Sequence, residues 1–410
     1  MLSTPVVWAL AAIAVWHLAH RYFRPKRTDT LKPKEERVVI LGASTLDGLG
    51  AHFLRQYLER GTRRIVIVGR RATALEAVRE RMLEETRDLR APDAVVDVVA
   101  ADCTQTADVL HLRDIIQTKM GGLDTLHIVF GVTSILPILG LANVDPCGVN
   151  VSGEAAHGIH ATSAGLEHIA GTLQHSMDGN VKGTAIVLGA LIPLLQTTST
   201  CPAVVATGSV AGLIPAPTRS IYCATKSAQH FLVNSVALEC EAQAGTLVPG
   251  TKQRRSLVRF LILAPGPIKN SFVATYSVDA QTGPRDNREH ALDVSDVVRE
   301  TLKAVEQQNW GMLVLPRQAF AGALLSQFSF TYVSALLLTQ PKYDRAYSSL
   351  KVFLLAVQTT LKGVSTVFHL REIYMFGLEH TSRSSRKPIV YRKRRRPPEG
   401  MSLFLTPGEK

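Results

Sequence analysis

Residues 38–50 read Val38-Val-Ile-Leu-Gly42-Ala-Ser44-Thr-Leu-Asp-Gly48-Leu-Gly50. The stretch predicts a short buried strand, then a glycine-rich turn, then a helix that ends at Gly61. Such a turn lets the backbone approach the pyrophosphate of a dinucleotide, which the N-terminus of the following helix can bind. The residues predicted to form this cradle are Gly42, Ser44, Gly48 and Gly50. The alternative is a glycine turn without a ligand.

Beyond this stretch the chain alternates between apolar runs and helical patterns. Further apolar runs predict strands at 65–68, 95–100, 126–130, 203–206, 258–263 and 312–315. Residues 72–90 are rich in Ala, Leu, Glu and Arg, which predicts an exposed helix. Uninterrupted β-branched strands are typical of a parallel sheet covered by helices on both faces. The alternation therefore predicts an α/β fold, a Rossmann-like doubly wound parallel sheet.

The end of the second predicted strand indicates which dinucleotide is bound. An NAD site usually has a carboxylate there for the ribose 2′-hydroxyl, but this chain has Gly69, Arg70 and Arg71. Guanidinium groups suit a 2′-phosphate, because they form charge-assisted and often bidentate hydrogen bonds with it. We therefore predict NADP(H), with a solvated arginine pair as the alternative. Asp102 follows the third strand, where it can reach the adenine.

Tyr222 and Lys226 are four residues apart in Tyr222-Cys-Ala-Thr-Lys226, so on a helix they share one face. A free tyrosine has a pKa near 10, and a neighbouring ammonium group lowers it. Tyr222 could then donate a proton to a carbonyl or accept one from an alcohol. Ser209 follows the fifth predicted strand in Gly-Ser209-Val-Ala-Gly, thirteen residues before Tyr222.

With this spacing of Ser209, Tyr222 and Lys226, residues 37–318 resemble the short-chain dehydrogenase/reductase family. The resemblance implies that Ser209 holds the substrate oxygen and that Lys226 also binds the nicotinamide ribose. It implies a fourth catalytic residue, Asn180, which supports a proton relay through water. It also implies nicotinamide contacts from the loop that holds Pro265, Gly266 and Ile268, and a cofactor contact at Gly131. The stretch 214–222 is similar to that of fungal membrane-associated members, which resemble hydroxysteroid dehydrogenases and ketosphinganine reductases.

The chain departs from the family pattern at several positions. The glycine loop runs Gly-x5-Gly-x-Gly, two residues longer than usual, and Asp47 stands where NADP-preferring members often have a basic residue. Asn270 replaces a threonine and could still hydrogen-bond a carboxamide. Residues 137–176 form a predicted insertion, a surface or substrate-lid segment, which carries His157, His160, His168 and His175. Their loose spacing without a cysteine partner does not predict a metal site.

The two ends of the 410-residue chain are basic, and residues 37–341 are neutral overall, although the net charge is +12. A neutral centre argues against a nucleic-acid enzyme. Residues 4–20 are apolar and uncharged, and a basic cluster follows with Arg21, Arg24, Lys26 and Arg27. This pattern predicts a membrane anchor over residues 1–27, with the body facing the cytosol, at the endoplasmic reticulum. A helix that lies on the membrane surface is the alternative.

A second uncharged run covers residues 319–340 and ends at Pro341. We predict membrane contact without crossing for residues 319–341, and a second span is the alternative. Residues 342–410 are predicted to be a basic extension that is solvated or contacts lipid headgroups. The five cysteines, Cys103, Cys147, Cys201, Cys223 and Cys240, have no CxxC spacing and are predicted to be reduced.

The sequence predicts hydride transfer between NADP(H) and a lipophilic ketone or alcohol such as a steroid or sphingoid lipid. An oxidative hydroxysteroid-type dehydrogenase is the alternative within the enzyme class. A catalytically silent, cofactor-binding membrane scaffold is the alternative outside it. The predicted partners are a lipophilic substrate, membrane lipids and a second copy of the chain, since family members commonly form dimers, without nucleic acid.

Overall fold

A computed structural model describes residues 25–146, 150–151, 158–279, 291–316 and 319. Its seven strands form one sheet with the order β3-β2-β1-β4-β5-β6-β7, and every neighbouring pair is parallel. The strands are β1 Arg37–Leu41, β2 Arg64–Gly69, β3 Val95–Ala100, β4 Thr125–Ile128, β5 Ala203–Thr207, β6 Arg259–Pro265 and β7 Gly311–Leu315. All seven predicted strands are confirmed. The fourth ends at Ile128, so Phe130 lies beyond the sheet.

Helices connect the strands and cover both faces of the sheet. They are α1 Leu49–Glu59, α2 Ala72–Glu85, α3 Thr106–Met120, α4 Ser163–Met177, α5 Gly183–Thr198, α6 Ser220–Gln243 and α7 Val294–Glu306. Short helical turns occur at Arg27–Thr30, Pro33–Glu35, Ile138–Leu141, Val210–Gly212 and Phe272–Tyr276. The helix predicted over 72–90 ends at Glu85, where turns begin.

Alternate residues of β1 build two separate cores. Val39 and Leu41 pack with residues of α3, α5 and α6 on one face of the sheet. Val38 and Ile40 pack with residues of α1, α2 and α7 on the other face. Because both faces are covered, neighbouring residues of a strand are both buried, which explains the unbroken apolar runs in the sequence.

A π-helical segment, Asp178–Lys182, joins α4 to α5, so that Ser163–Thr198 form one long helix. The predicted insertion over 137–176 was therefore too long, since residues 163–176 belong to the helix that carries Asn180. This helix is also long and apolar enough to cross a membrane, but 50% of its most apolar window is buried inside the fold. Burial against the sheet accounts for the apolar residues in the buried half of that window. The segments predicted to contact a membrane, 4–20 and 319–340, lie outside the described residues apart from residue 319, as does the tail 342–410.

Arg27 is buried in the fold, although the sequence groups it with the basic flank of the anchor. Its guanidinium group pairs with Glu36, which is also buried, and donates to the Thr125 hydroxyl at 2.8 Å and to the Cys201 carbonyl at 2.9 Å. Those hydrogen bonds compensate for the loss of water around a buried charge. Arg27 thus attaches the start of the described chain to the amino-terminal ends of β4 and β5.

The strand order reverses between β1 and β4, because the chain returns from the β3 edge to the other side of β1. The carboxyl ends of β1 and β4 therefore diverge into loops that run in opposite directions. In open α/β sheets a ligand site lies at such a reversal, outside the carboxyl ends of the strands. The predicted glycine cradle after β1 and Gly131 after β4 both lie at this position.

Candidate active site

A cavity of about 1880 Å³ opens at the carboxyl ends of the strands. The predicted cofactor residues that line it are Gly42, Ser44, Gly48, Arg70, Asp102, Gly131, Lys226, Pro265, Gly266 and Ile268. Gly50 and Arg71 do not line it. Among the predicted catalytic residues, Ser209, Tyr222 and Lys226 line it and Asn180 does not. The cavity thus joins a glycine cradle and three reactive side chains in one space.

The glycine cradle depends on close backbone approach. Gly42 has φ of +95°, and a Cβ there would lie 2.5 Å from the backbone nitrogen of Phe130. A Cβ at Gly50 would lie 2.5 Å from the Gly42 carbonyl oxygen, so Gly50 lets α1 pack against the loop and need not touch a ligand. Gly48 is the N-cap of α1, and no side chain caps this helix N-terminus. The uncapped N–H groups fit the phosphates of a dinucleotide.

Polar contacts made by Arg71 and Asp47 tie the glycine loop to its surroundings. Arg71 donates to the Ser44 carbonyl at 3.3 Å and to the Tyr276 hydroxyl at 3.4 Å. The Asp47 carboxylate accepts from the backbone nitrogen of Ser271 at 2.6 Å and from its hydroxyl at 2.8 Å. Asp47 therefore holds the segment after β6 against the glycine loop. Arg70 is exposed and lines the cavity.

Asp102 is fixed at the end of β3 by its own turn. Its Oδ1 accepts from the backbone nitrogen of Thr104 at 2.9 Å and from the Thr104 hydroxyl at 2.8 Å. The residue lines the cavity, as the predicted adenine contact requires.

Ser209 and Tyr222 are buried side by side on the cavity wall. Ser209 follows β5, and its Oγ accepts from the Ala211 backbone nitrogen at 3.1 Å. Tyr222 lies in the first turn of α6. Burial raises the pKa of Tyr222, while the hydrogen bond with Ser209 and the charge of Arg219 lower it. The Arg219 guanidinium lies 5.8 Å from the centroid of the Tyr222 ring. Sequence reasoning missed Arg219 and assigned this electrostatic effect to Lys226.

Lys226 lies one turn after Tyr222 with its ammonium nitrogen 6.0 Å from the centroid of the tyrosine ring. The nitrogen donates to the Thr207 carbonyl at 3.0 Å and to Gln229 Oε1 at 2.9 Å. Burial lowers the pKa of Lys226 to about 7. Two of its three hydrogens thus point into the protein, and the third can be offered to a ligand in the cavity.

Two family models match this part of the chain. Residues 149–277 match the short chain dehydrogenase model, and residues 37–135 match the KR domain model, so that together they cover more than half of the chain. The chain belongs to the short-chain dehydrogenase family. No curated protein sequence matches it. Closeness to the fungal membrane-associated members remains a prediction.

Solved short-chain dehydrogenases share the fold. One, from Burkholderia cenocepacia in complex with NADP, is 20% identical with a TM-score of 0.51, and the match covers 74% of this chain and 99% of that one. Another, from Burkholderia phymatum in complex with NAD, is 17% identical with a TM-score of 0.53, and the match covers 76% and 98%. At this identity the likeness establishes the fold and leaves the choice of cofactor open.

In this short-chain dehydrogenase, Asn180 acts as a brace between three elements. Its Oδ1 accepts from the Val132 backbone nitrogen at 2.9 Å, and its Nδ2 donates to the Val132 carbonyl and to the Thr225 hydroxyl, both at 3.0 Å. The side chain is fully buried and all its polar atoms are used. Asn180 therefore joins the π-helical segment to the loop after β4 and to α6, and its side chain is not directed into the cavity.

His230 supports Ser209 from behind, and sequence reasoning missed it. Its Nε2 accepts from the Ser209 backbone nitrogen at 3.3 Å, so the ring hydrogen is on Nδ1. Burial lowers the pKa of His230 to about 4, and the charge of Lys226 adds to this effect, so the ring is neutral. Gly208 leaves room for it, since a Cβ there would lie 2.0 Å from His230 Nε2. The sequence signal was a histidine one turn after Lys226, on the buried face of α6.

The remaining residues singled out in the sequence are Asn270, the histidines of the predicted insertion and the cysteines. Asn270 lines the cavity, and its Oδ1 accepts from the Phe272 backbone nitrogen at 3.2 Å. Within the described ranges no group of three or more His, Cys, Asp or Glu side chains could hold a metal ion, and His157 lies outside them. Cys103, Cys201, Cys223 and Cys240 are free thiols, and Cys147 lies outside the described residues.

Proposed function

We propose that the chain is an NADP(H)-dependent oxidoreductase that interconverts a ketone and an alcohol on a lipophilic substrate. The observation that carries the proposal is that Ser209, Tyr222 and Lys226 line the same cavity as the glycine cradle. An acid, a hydrogen-bonding hydroxyl and an ammonium group beside a dinucleotide site are the groups that carbonyl reduction requires.

The side chains divide the chemistry between them. The bound nicotinamide would supply or accept the hydride. Gly42, Gly48 and the N-terminus of α1 would hold its phosphates, and Lys226 would donate to its ribose. Ser209 would orient the substrate oxygen, and Tyr222 would transfer the proton to or from that oxygen.

Tyr222 is in its protonated form before the cofactor binds. Burial raises its pKa, so that the phenol keeps its proton at neutral pH in the absence of cofactor. A protonated phenol is the form that donates to a ketone oxygen, and the phenolate it leaves is the form that accepts a proton from an alcohol in the reverse reaction.

Arg70 supports the choice of NADP(H). It lines the cavity directly after β2, where the ribose 2′-substituent of a dinucleotide is expected, and its guanidinium group suits a 2′-phosphate. Asp47, the residue that would oppose a 2′-phosphate, is instead hydrogen-bonded to Ser271. Arg70→Ala should weaken NADPH binding at least about tenfold and leave NADH binding within about twofold. Arg81→Ala, which removes an exposed arginine of α2 that pairs with Glu85, is the matched control, and equal losses for both cofactors would refute the assignment.

We also propose that residues 4–20 anchor the protein at the endoplasmic reticulum membrane with the catalytic domain facing the cytosol. Apolar side chains that line the cavity, Val132, Ile135, Ile214 and Val273, suit a steroid, sphingoid or other lipid ketone. A second copy of the chain is the proposed protein partner. Protease protection of sealed microsomes tests the orientation, since a cytosolic body is digested without detergent.

The test of the function is turnover of a panel of lipophilic ketones by the purified full chain with NADPH. Oxidation of NADPH in step with alcohol formation is the expected result. Tight NADPH binding without turnover of any ketone would instead identify a cofactor-binding scaffold.

A further inference from the structure

A chain of hydrogen bonds leads from Lys226 into the protein, away from the cavity. Lys226 donates to Gln229 Oε1 at 2.9 Å, and Gln229 Nε2 donates to the Thr184 hydroxyl at 2.9 Å. The Thr184 hydroxyl donates to the Asn180 carbonyl at 2.8 Å. All four residues are buried, with exposed fractions of 0–3%. The chain links α6 to the π-helical segment behind the active site.

The far end of this chain fixes the direction of the Gln229 amide. The Asn180 carbonyl can only accept, so the Thr184 hydroxyl must use its hydrogen there and can only accept from Gln229. The amide NH₂ must then face Thr184, and the amide oxygen must face Lys226. If the amide were flipped, its NH₂ group would face the Lys226 ammonium group, and the Thr184 hydroxyl would lose the hydrogen bond that it accepts from Gln229.

The amide oxygen supports the charged form of Lys226 in a site that disfavours charge. Burial alone accounts for the lowered pKa of Lys226, and in the described structure no carboxylate pairs with it. The other titratable groups that face it are Tyr222 and His230, neither of which is negatively charged at neutral pH. Its acceptors are therefore the Thr207 carbonyl and the Gln229 oxygen.

We propose that Gln229, oriented by Thr184, is a positioning residue that keeps the Lys226 ammonium charged and aims its remaining hydrogen at the cavity. This inference rests on the proposed oxidoreductase function for its consequence, since a charged Lys226 serves cofactor binding and proton transfer there. Its structural part, the protonation of Lys226, is measurable without any turnover.

The test follows the ammonium group directly by NMR. The full chain is labelled with [ε-¹³C]lysine, and the Lys226 resonance is assigned by its loss in Lys226→Met. Titration without cofactor should give a midpoint that falls by about one pH unit or more in Gln229→Met and rises by a similar amount in Gln229→Glu. Opposite shifts are expected because the first variant removes the acceptor and the second replaces it with a carboxylate.

Controls separate the proposal from general damage to the core. Gln196→Met removes another buried glutamine, which contacts Gln243 and Arg255 far from α6's catalytic turn, and should leave the midpoint unchanged. If Gln229→Met does not fold, Thr184→Val frees the amide to turn and should lower the midpoint in the same direction. An unchanged midpoint in Gln229→Glu, or in whichever of Gln229→Met and Thr184→Val folds, would overturn the proposal.

Turnover then connects the midpoint to catalysis. With the best ketone, kcat of Gln229→Met at pH 8 should fall about tenfold or more relative to the Gln196→Met control. If the wild type turns over no ketone while the Lys226 midpoints of the variants shift as expected, the oxidoreductase function is refuted and the positioning role stands. If the wild type is active and the variants' Lys226 midpoints do not shift, only the positioning role is refuted.

Discussion

Replacement of Lys226 by methionine should stabilise the folded chain at neutral pH, although it should abolish activity. Burial lowers the pKa of Lys226 from 10.5 to about 7, which corresponds to a cost on the order of 5 kcal/mol for burying the charged form. Methionine keeps the stem but leaves the Thr207 carbonyl and the Gln229 oxygen without their donor, at about 1–2 kcal/mol each. The net gain near pH 7 is therefore about 1–3 kcal/mol.

The pH dependence gives this prediction its sign. The folded state binds the Lys226 proton more weakly than the unfolded state. The free-energy cost of burying Lys226 is therefore complete below pH 7 and shrinks as the pH rises towards 10.5. The advantage of Lys226→Met should thus fall by about 1.4 kcal/mol per pH unit over that range. Near pH 10 the lost hydrogen bonds remain and the variant should be less stable than wild type.

Urea unfolding of the purified full chain, followed by circular dichroism at pH 6.5 and pH 10, measures this difference. Lys252→Met, which removes an exposed lysine, is the matched control and should show no reversal. A variant that is less stable than wild type at pH 6.5, or a difference that does not change with pH, would refute the reasoning.

Three further substitutions test the site and the fold that carries it. Gly208→Ala places a Cβ 2.0 Å from His230 Nε2 and should lower kcat at least about tenfold by displacing Ser209; unchanged steady-state kinetics would show that His230 does not position the serine. Gly50→Ala should weaken NADPH binding about tenfold or more, because its Cβ meets the Gly42 carbonyl at 2.5 Å. Gly189→Ala in α5, where the new Cβ meets nothing within 4 Å, is the control for both and should be stabilising by up to about 1 kcal/mol. Arg27→Met should destabilise the fold by about 3–5 kcal/mol, since it leaves Glu36 buried without a partner, and Glu36→Gln in the same chain should recover part of the loss in urea unfolding.

The sheet was predictable because its signal is local. The strands are built largely from short apolar runs, and burial on both faces makes such a run continuous, as Val38–Leu41 shows. The cradle glycines were also visible, since only glycine permits the approaches found at Gly42 and Gly50. Element boundaries have weaker sequence signals. The predicted insertion is too long because residues 163–176 have no strong periodic pattern to mark them as the first half of a long helix.

The sequence alone could not show contacts between residues that lie far apart in it. In the sequence Arg27 belongs to the basic cluster that follows the apolar segment, and only the fold brings Glu36 and the Cys201 carbonyl beside it. Asn180 was correctly placed in the helix before β5, but its role as a brace depends on Val132 and Thr225. Sequence spacing can identify a reactive group, and only the fold shows which buried polar atoms that group must satisfy.

Hydride transfer by wild type and by Tyr222→Phe tests the central claim most directly. The substitution removes the hydroxyl and keeps the ring that packs beside Arg219 and Lys226. Single-turnover transfer of deuterium from labelled NADPH to the best ketone should slow at least about 100-fold, with NADPH affinity within about twofold of wild type. Tyr57→Phe, a buried tyrosine that hydrogen-bonds His127 at 2.8 Å in the core, should transfer deuterium at the wild-type rate. Equal transfer rates for wild type and Tyr222→Phe would contradict the assignment of Tyr222 as the proton donor.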